Sequence, residues 1–357
     1  MDKKLTASGC RSKAKAFVLL PAILLLVVSV SGCTVPGLDF LCIPGLTCTG
    51  GTVEYENDVL VIKTLEATPQ TISTGQSMRL SAWIENRGGE TVPQKIEGTA
   101  DTGVSIEIYD KCEGLFSSVI PNCPIDSTPT KNGCYLKTIL PKQTVPISWT
   151  LVANDKDKIP LETSCNLKVY ILYPYQTKSI TSITFVDYVE MQRMINEGKF
   201  TPITSYITEG YGPVKPYLTV EDQQPIPVER KDYGTGKKPT TTLAFQVKNK
   251  GSGFLGRWEY TGNGEPTFSE PVIVKGSVKM ESNTDYMREA IKTIETEINK
   301  NDIRLIGKES PKQPFTIISP YKNQIEKVAT YYVTTSMSYK YEFRKEIKVT
   351  IKPPKIF

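Results

Sequence analysis

The sequence of 357 residues contains no histidine. That absence removes the Ser-His-Asp and Cys-His arrangements of nucleophilic catalysis, together with every imidazole-based metal site. No C-x-x-C spacing occurs among the eight cysteines, so the usual ligand pattern of thiolate zinc sites is missing as well. Asn-x-Ser/Thr sequons are absent throughout, and N-linked glycosylation is not expected. Long hydrophobic runs are scarce: the uncharged apolar stretch at 16–30 stands alone. Strongly periodic helical segments are few, whereas Gly and Pro (25 each) and Tyr (18) are abundant. That balance leans towards β structure with many turns.

The apolar stretch is preceded by Lys3, Lys4, Arg11, Lys13 and Lys15 against a single acid, Asp2, and it leaves through Ser31 and Gly32 to Cys33. A basic n-region, an apolar h-region and a small-residue exit describe a signal peptide. Fifteen apolar residues fall short of the about 20 that a transmembrane helix requires. Val30-Ser31-Gly32-Cys33 resembles the lipobox of prokaryotic lipoproteins. The resemblance implies cleavage between Gly32 and Cys33 and lipidation of the Cys33 thiol. An uncleaved signal anchor, with Cys33 incidental, is the alternative. Either way the basic flank stays in the cytoplasm and the bulk of the chain lies outside.

With this segment set aside, the charge loses its meaning as a partner signal. The whole chain is +5, from 43 basic and 38 acidic residues, and residues 1–32 hold five of the basic and one of the acidic. The remainder is nearly neutral, which removes the main support for a nucleic-acid partner. Residues 33–200 are mildly acidic and 201–357 mildly basic, a division read as solvated lysines on exposed strand faces. Of the cysteines, Cys10 belongs to the n-region and Cys33 is the lipid candidate; Cys42, Cys48, Cys112, Cys123, Cys134 and Cys165 remain. An even set outside the cell reads as disulfides. Cys42 and Cys48 would close a small loop, while the other four can pair in three ways.

Residues 34–56 have the composition of a stalk, and globular pattern begins near Asp58. Period-two alternation and turn signals predict strands at 59–62, 78–85, 104–109, 135–140, 145–151, 166–173 and 179–186. The segment 112–134 is expected to be a long, cross-linked loop. Asp187 caps an expected helix with Tyr188, Met191, Met194 and Ile195 on one face and Gly198 at its stop. A proline-rich linker follows. Leu243–Gly251 then repeats the pattern of Leu80–Gly88, an alternating strand ended by Asn-(Arg/Lys)-Gly. Further on, 271–279 reads as a strand, and 285–299 as a helix with the stripe Met287, Ile291, Ile294 and Ile298. Strands at 330–343 and 346–351 close the chain, with Lys340, Glu342, Arg344 and Lys348 expected to face water.

The two Asn-x-Gly strands resemble the CARDB-type, immunoglobulin-like modules of archaeal and bacterial surface proteins. Glu107–Cys112, Leu140-Pro141 before Ile147–Thr150, Ser164–Leu167, Gly212–Lys215 and Gln224–Val228 fit the same likeness. The resemblance implies a mainly β fold of two tandem immunoglobulin-like β-sandwich domains; the helix expected at 285–299 departs from the plain module and is read as an insertion in the second. The expected organisation is a signal or anchor segment (1–32), a stalk (33–56), a first sandwich (57–186), a helix and linker (187–212) and a second sandwich (213–357). It further implies extracellular binding or structural spacing rather than catalysis, with no cofactor.

Other motifs offer less. Gly251–Gly256 spells GxGxxG after a strand, but Arg257–Gly264 is not the helix a dinucleotide site needs. Asn154–Asp157 lacks the Gly and closing Glu of a calcium loop. Phe254, Trp258 and Tyr260, in a Gly-rich loop after the second Asn-x-Gly, are candidates to contact a ligand. The functional expectation is a membrane-anchored envelope protein in adhesion, or a structural or accessory subunit whose partner is another envelope protein or a glycan. The alternative is a solute- or glycan-binding lipoprotein serving a transporter or enzyme.

Overall fold

The computed structural model describes residues 57–94, 103–155, 157–228, 240–255, 259–260, 266–267, 272–274, 277–300, 303–320 and 324–353. All of them belong to one compact unit. In chain order the first strands are β1 (Leu60–Thr68), β2 (Thr71–Ser73), β3 (Ser77–Asn86), β4 (Val104–Asp110), β5 (Phe116–Asn122), β6 (Ser127–Pro129), β7 (Gly133–Leu136), β8 (Thr144–Ala153) and β9 (Thr163–Asp187). A helix, Tyr188–Asn196, leads to β10 (Ile207–Glu209), β11 (Val214–Val220), β12 (Ile226–Val228) and β13 (Thr240–Asn249). Short strands follow: β14 (Phe254–Leu255), β15 (Glu259–Tyr260), β16 (Pro266–Thr267), β17 (Val272–Val274) and β18 (Ser277–Ser282). The second helix, Asp285–Lys300, precedes β19 (Ile303–Leu305), β20 (Gln313–Ile318) and β21 (Val328–Lys352). The fold is mainly β, as the turn-rich composition implies.

Its backbone is a two-stranded ribbon. β9 and β21 pair antiparallel from Val328↔Val186 to Ile351↔Thr163 without a register shift. At ~3.3 Å per residue each strand spans about 80 Å, where strands commonly run about 3–10 residues. Such length is stable because one face is covered throughout. On β9 the odd positions from Leu167 to Phe185 are buried, and on β21 those from Tyr331 to Tyr341. The four-stranded sheet β1-β3-β8-β5 covers one half of that face, where Lys345 donates to the carbonyls of Ile62 and Lys63 on β1. The three-stranded sheet β11-β13-β20 covers the other, where Ser179 and Thr181 donate to the carbonyls of Pro216 and Leu218 on β11.

This ribbon corrects two strand boundaries. The break expected between 173 and 179 does not occur, nor does the one between 343 and 346. Pro174 sits inside β9 at the gap between β4, whose pairing ends at Leu172, and β10, whose pairing begins at Ser179. No ladder on that edge needs its missing N–H. Two residues on, the Gln176 N–H in the same gap is taken by Gln94 Oε1 at 3.0 Å. The segment 112–134 also differs from expectation, since it holds β5 and β6 and the start of β7 rather than a loop. β5 completes the four-stranded sheet beside β8. It is cross-linked as expected, by Cys112–Cys165 and Cys123–Cys134. Loops of these lengths stabilise by about 4 and about 3 kcal/mol through the unfolded chain.

Both expected helices form. Asp187 Oδ1 accepts from the Val189 and Glu190 amides (2.8 and 3.2 Å), and Gly198 ends the first helix at φ 66°. Tyr188, Met191, Met194 and Ile195 are none of them buried, so this helix rides on the surface. In the second helix Met287, Ile291, Ile294 and Ile298 are buried as the stripe requires. Its polar side chains also finish the edge of β18. Asn299 exchanges two hydrogen bonds with the Val278 backbone, and Glu295 accepts from the Met280 amide. An edge strand covered in this way offers no template for a further chain.

The repeated Asn-x-Gly motif folds the same way twice. Asn86 Oδ1 accepts from the Gly88 amide (2.9 Å) and its Nδ2 donates to the Glu90 carbonyl (2.9 Å). Asn249 Oδ1 accepts from the Gly251 amide (3.1 Å) and its Nδ2 donates to the Gly253 carbonyl (2.9 Å). Both side chains are buried. Alanine at either position would strand a buried amide and carbonyl without water to replace the amide side chain, at about 2–3 kcal/mol. Urea unfolding of Asn86→Ala and Asn249→Ala should each show a loss of that size, and a change below about 0.5 kcal/mol would contradict this account of the turns.

Candidate functional site

Four tyrosines occupy the centre of the ribbon's buried face. Tyr175 pairs with Tyr339 and Tyr173 with Tyr341 in register, and ring centroids around the square lie 5.8–6.4 Å apart. The hydroxyls reach outward to separate segments. Tyr341 donates to Asp58 Oδ1 (2.8 Å) and accepts from the Gly253 amide (2.7 Å). Tyr173 accepts from the Leu60 amide, and Tyr339 accepts from the Val214 amide while bonding Thr177 Oγ1 at 2.6 Å. Burial raises all four phenols, so they stay neutral.

Beside this square residues 251–253, which open the GxGxxG segment, are locked into the fold. The amides of Gly251, Ser252 and Gly253 are taken by Asn249, Asp58 and Tyr341. A Cβ on Gly251 would lie 2.1 Å from the Tyr341 hydroxyl and 2.5 Å from Asp58 Oδ1, which is why glycine is needed there. These amides therefore do not form a phosphate cradle.

Of the three aromatics singled out in the sequence, Phe254 lies on β14 opposite Glu342 and is partly exposed. The Arg344 guanidinium lies 4.5 Å from its ring centroid and 5.2 Å from that of Tyr109. Trp258 lies outside the described residues, and Tyr260 is described only as backbone, paired with Pro266. Cys33, Cys42 and Cys48 also lie outside them.

Glu342 corrects an expectation. Strand parity points it to water with Lys340, Arg344 and Lys348, and Lys340 and Lys348 are indeed exposed. Glu342, however, is 2% exposed opposite Phe254 of β14, with Arg344 Nε donating to Oε1 at 2.5 Å. Its Oε2 is buried without a hydrogen-bond partner among the described residues. Burial pushes this carboxyl up to about 7, although Arg344 pulls the other way.

A second group that sequence reasoning missed is Lys215, which is 1% exposed on β11 and donates to the Gly210 carbonyl. Burial pushes its ammonium down to about 8 against the pull of Glu209. An even spread of lysines along strands gives no signal for such a residue.

Gly210 also lines a groove of about 1030 Å³. Its other walls are Glu90–Gln94, the Tyr135–Thr138 segment, Tyr175, Gln176 and Lys178 of β9, and Tyr211. Among the described residues no group of His, Cys, Asp and Glu is arranged to hold a metal ion, and no helix is long and apolar enough to cross a membrane.

No family model matches this chain, and no curated protein matches it. Among solved structures, an alignment to the collagen adhesin of S. aureus covers 84% of this chain and 96% of that one at 10% identity, with a TM-score of 0.11. At that score the alignment carries no argument about fold or function.

Glu342 makes stability depend on pH in a defined direction. Its folded-state value of about 7 exceeds the ordinary 4.5, so the folded state holds the extra proton between those limits. Stability should then fall as pH rises through that window, by about 3 kcal/mol from this group. Urea midpoints at about pH 5 and about pH 8 should differ accordingly in the natural protein and much less in Glu342→Gln.

Proposed function

We propose that this chain is a membrane-anchored extracellular protein that acts in adhesion or as a structural or accessory subunit of the cell envelope. The observation that carries the reading is the pair of disulfides, Cys112–Cys165 and Cys123–Cys134, tying β4, β5, β7 and β9 into the scaffold. Bridges of this kind persist in oxidising compartments outside the cytoplasm. The basic, apolar and Gly32-Cys33 sequence at the start supplies the route there, by lipidation of Cys33 or by a retained N-terminal helix. The immunoglobulin-like layout fits sheets that pack on the two halves of one ribbon, as does a long β spine that spaces binding surfaces away from a membrane.

Metabolic labelling with palmitate and protease treatment of intact cells test the reading together. The full chain should take up label and be degraded from outside, and Cys33→Ser should lose both the label and stable membrane attachment. Retention of Cys33→Ser on the membrane would replace the lipid with a helical anchor. Complete protection of the chain from external protease would overturn the extracellular assignment itself.

A further inference from the structure

We propose that the groove bounded by Glu90–Gln94, Tyr135–Thr138, Gln176–Lys178 and Gly210–Tyr211 binds an acidic glycan through its sugar rings and carboxylates. The inference goes beyond the anchoring proposal and does not depend on it, so either can fail alone. At about 1030 Å³ the groove is large enough for a ligand of several rings, at the upper end of the 300–1,000 Å³ typical of small-molecule sites.

Its aromatic walls are held before any ligand arrives. Tyr175, 1% exposed and fixed by the tyrosine square, backs the groove, and the half-buried rings of Tyr135 and Tyr211 supply its accessible aromatic surface. Tyr135 packs on the backbone of Gly103, where a Cβ would fall 1.9 Å from the ring, and Tyr211 lies against Gly88. Rings backed by glycine cannot retreat, so they present firm edges and faces at little entropic cost. The amides are equally fixed. Gln94 holds the Gln176 N–H through its Oε1, and Gln176 Nε2 donates to Ser338 Oγ. Thr91 and Thr138 add hydroxyls to the same walls. Apolar ring faces with hydroxyl and amide groups between them match the alternating C–H and O–H surfaces of a sugar.

Charge selects the kind of sugar. Lys137 and Lys178 are exposed on the groove, and among the described residues neither makes an ion pair or a side-chain hydrogen bond. The carboxylate on the groove, Glu90, is engaged by the Gln94 amide. Two ammonium groups without partners against one carboxylate leave the groove net positive and favour a ligand that brings its own carboxylates. A peptide strand fits less well, because the backbone along the groove is already spoken for. The Gln176 N–H goes to Gln94, the Gly210 N–H goes to the Lys178 carbonyl, and Val92 pairs with Ile139. Among the described residues these groups are therefore not available for strand addition.

Calorimetric titration of the full chain in detergent tests the assignment with three probes: hexagalacturonate, its neutral methyl ester, and hexaglutamate. Hexagalacturonate should bind, with each of the other two weaker by roughly tenfold or more. The pair Lys137→Glu and Lys178→Glu, both on exposed side chains, should weaken hexagalacturonate by a similar factor while leaving the urea midpoint unchanged. Equal binding of the methyl ester would remove the charge from the proposal, and equal binding of hexaglutamate would reduce the site to a basic patch. Absence of binding by hexagalacturonate, or binding indifferent to the double charge reversal, would overturn it.

Discussion

Everything else in this fold is arranged to cover one face of one ribbon. Once β9 and β21 pair from Thr163 to Val186, every second side chain along that length points the same way. A face of that extent cannot be left to water, and one small sheet cannot cover it. Two sheets share the task, and each meets a different chemistry. Under β1-β3-β8-β5 the ribbon offers Leu167, Val169 and Ile171, so apolar burial suffices. Towards β11 it offers Thr177, Ser179 and Thr181, whose hydroxyls must find partners: Ser179 and Thr181 donate to the β11 backbone, and Thr177 bonds the Tyr339 hydroxyl. The change from apolar to hydroxyl side chains along one strand marks where one covering sheet gives way to the other.

The tyrosine square solves the problem of that handover. A junction between two covering sheets exposes backbone groups at the start of each, here the amides of Leu60 and Val214. Phenols are long enough to fill the gap with ring surface and still deliver a hydroxyl to its rim. Asp58 extends the arrangement by bonding Tyr341 and the backbone and hydroxyl of Ser252. The second Asn-x-Gly turn is thereby fastened to the segment that opens the first sheet. The first turn approaches the same region, with Gly88 against Val59 and Tyr211. The repeat visible in the sequence is thus a repeat of function within the fold: each copy ends a central strand and turns its loop back onto the junction.

How much of this could be read from residues alone depends on how local the cause is. Period-two alternation located β3 and β13, the 3.6-residue stripe located Met287–Ile298, and Asp187 marked its helix start, because each signal is carried by neighbours in sequence. The continuity of β9 was not legible. Pro174 and the run Thr177–Thr181 look like punctuation until the gap between β4 and β10, and the carbonyls of β11, are known. Glu342 misled for a related reason. Parity places it on the outer face, but Phe254 of β14 pairs opposite it from 88 residues earlier in the chain, and it is buried there. The groove was invisible because its walls come from four separated segments with no motif of their own. Cysteine parity indicated disulfides without choosing among the three pairings; the choice follows from β4 and β9 being neighbours, which sets Cys112 against Cys165.

The junction also decides where load would enter an anchored molecule. Under the proposed attachment, tension from the membrane is carried along the chain to Asp58, two residues before β1. Asp58 is not at a frayed end. It is held by Ser252 and Tyr341, and through Tyr341 by the centre of the ribbon. A fold that receives its tether at the middle of its longest element can hold the surfaces on either half steady relative to each other. The Tyr175 wall of the groove belongs to that same square, so the proposed binding surface is braced by the contacts that would bear the load.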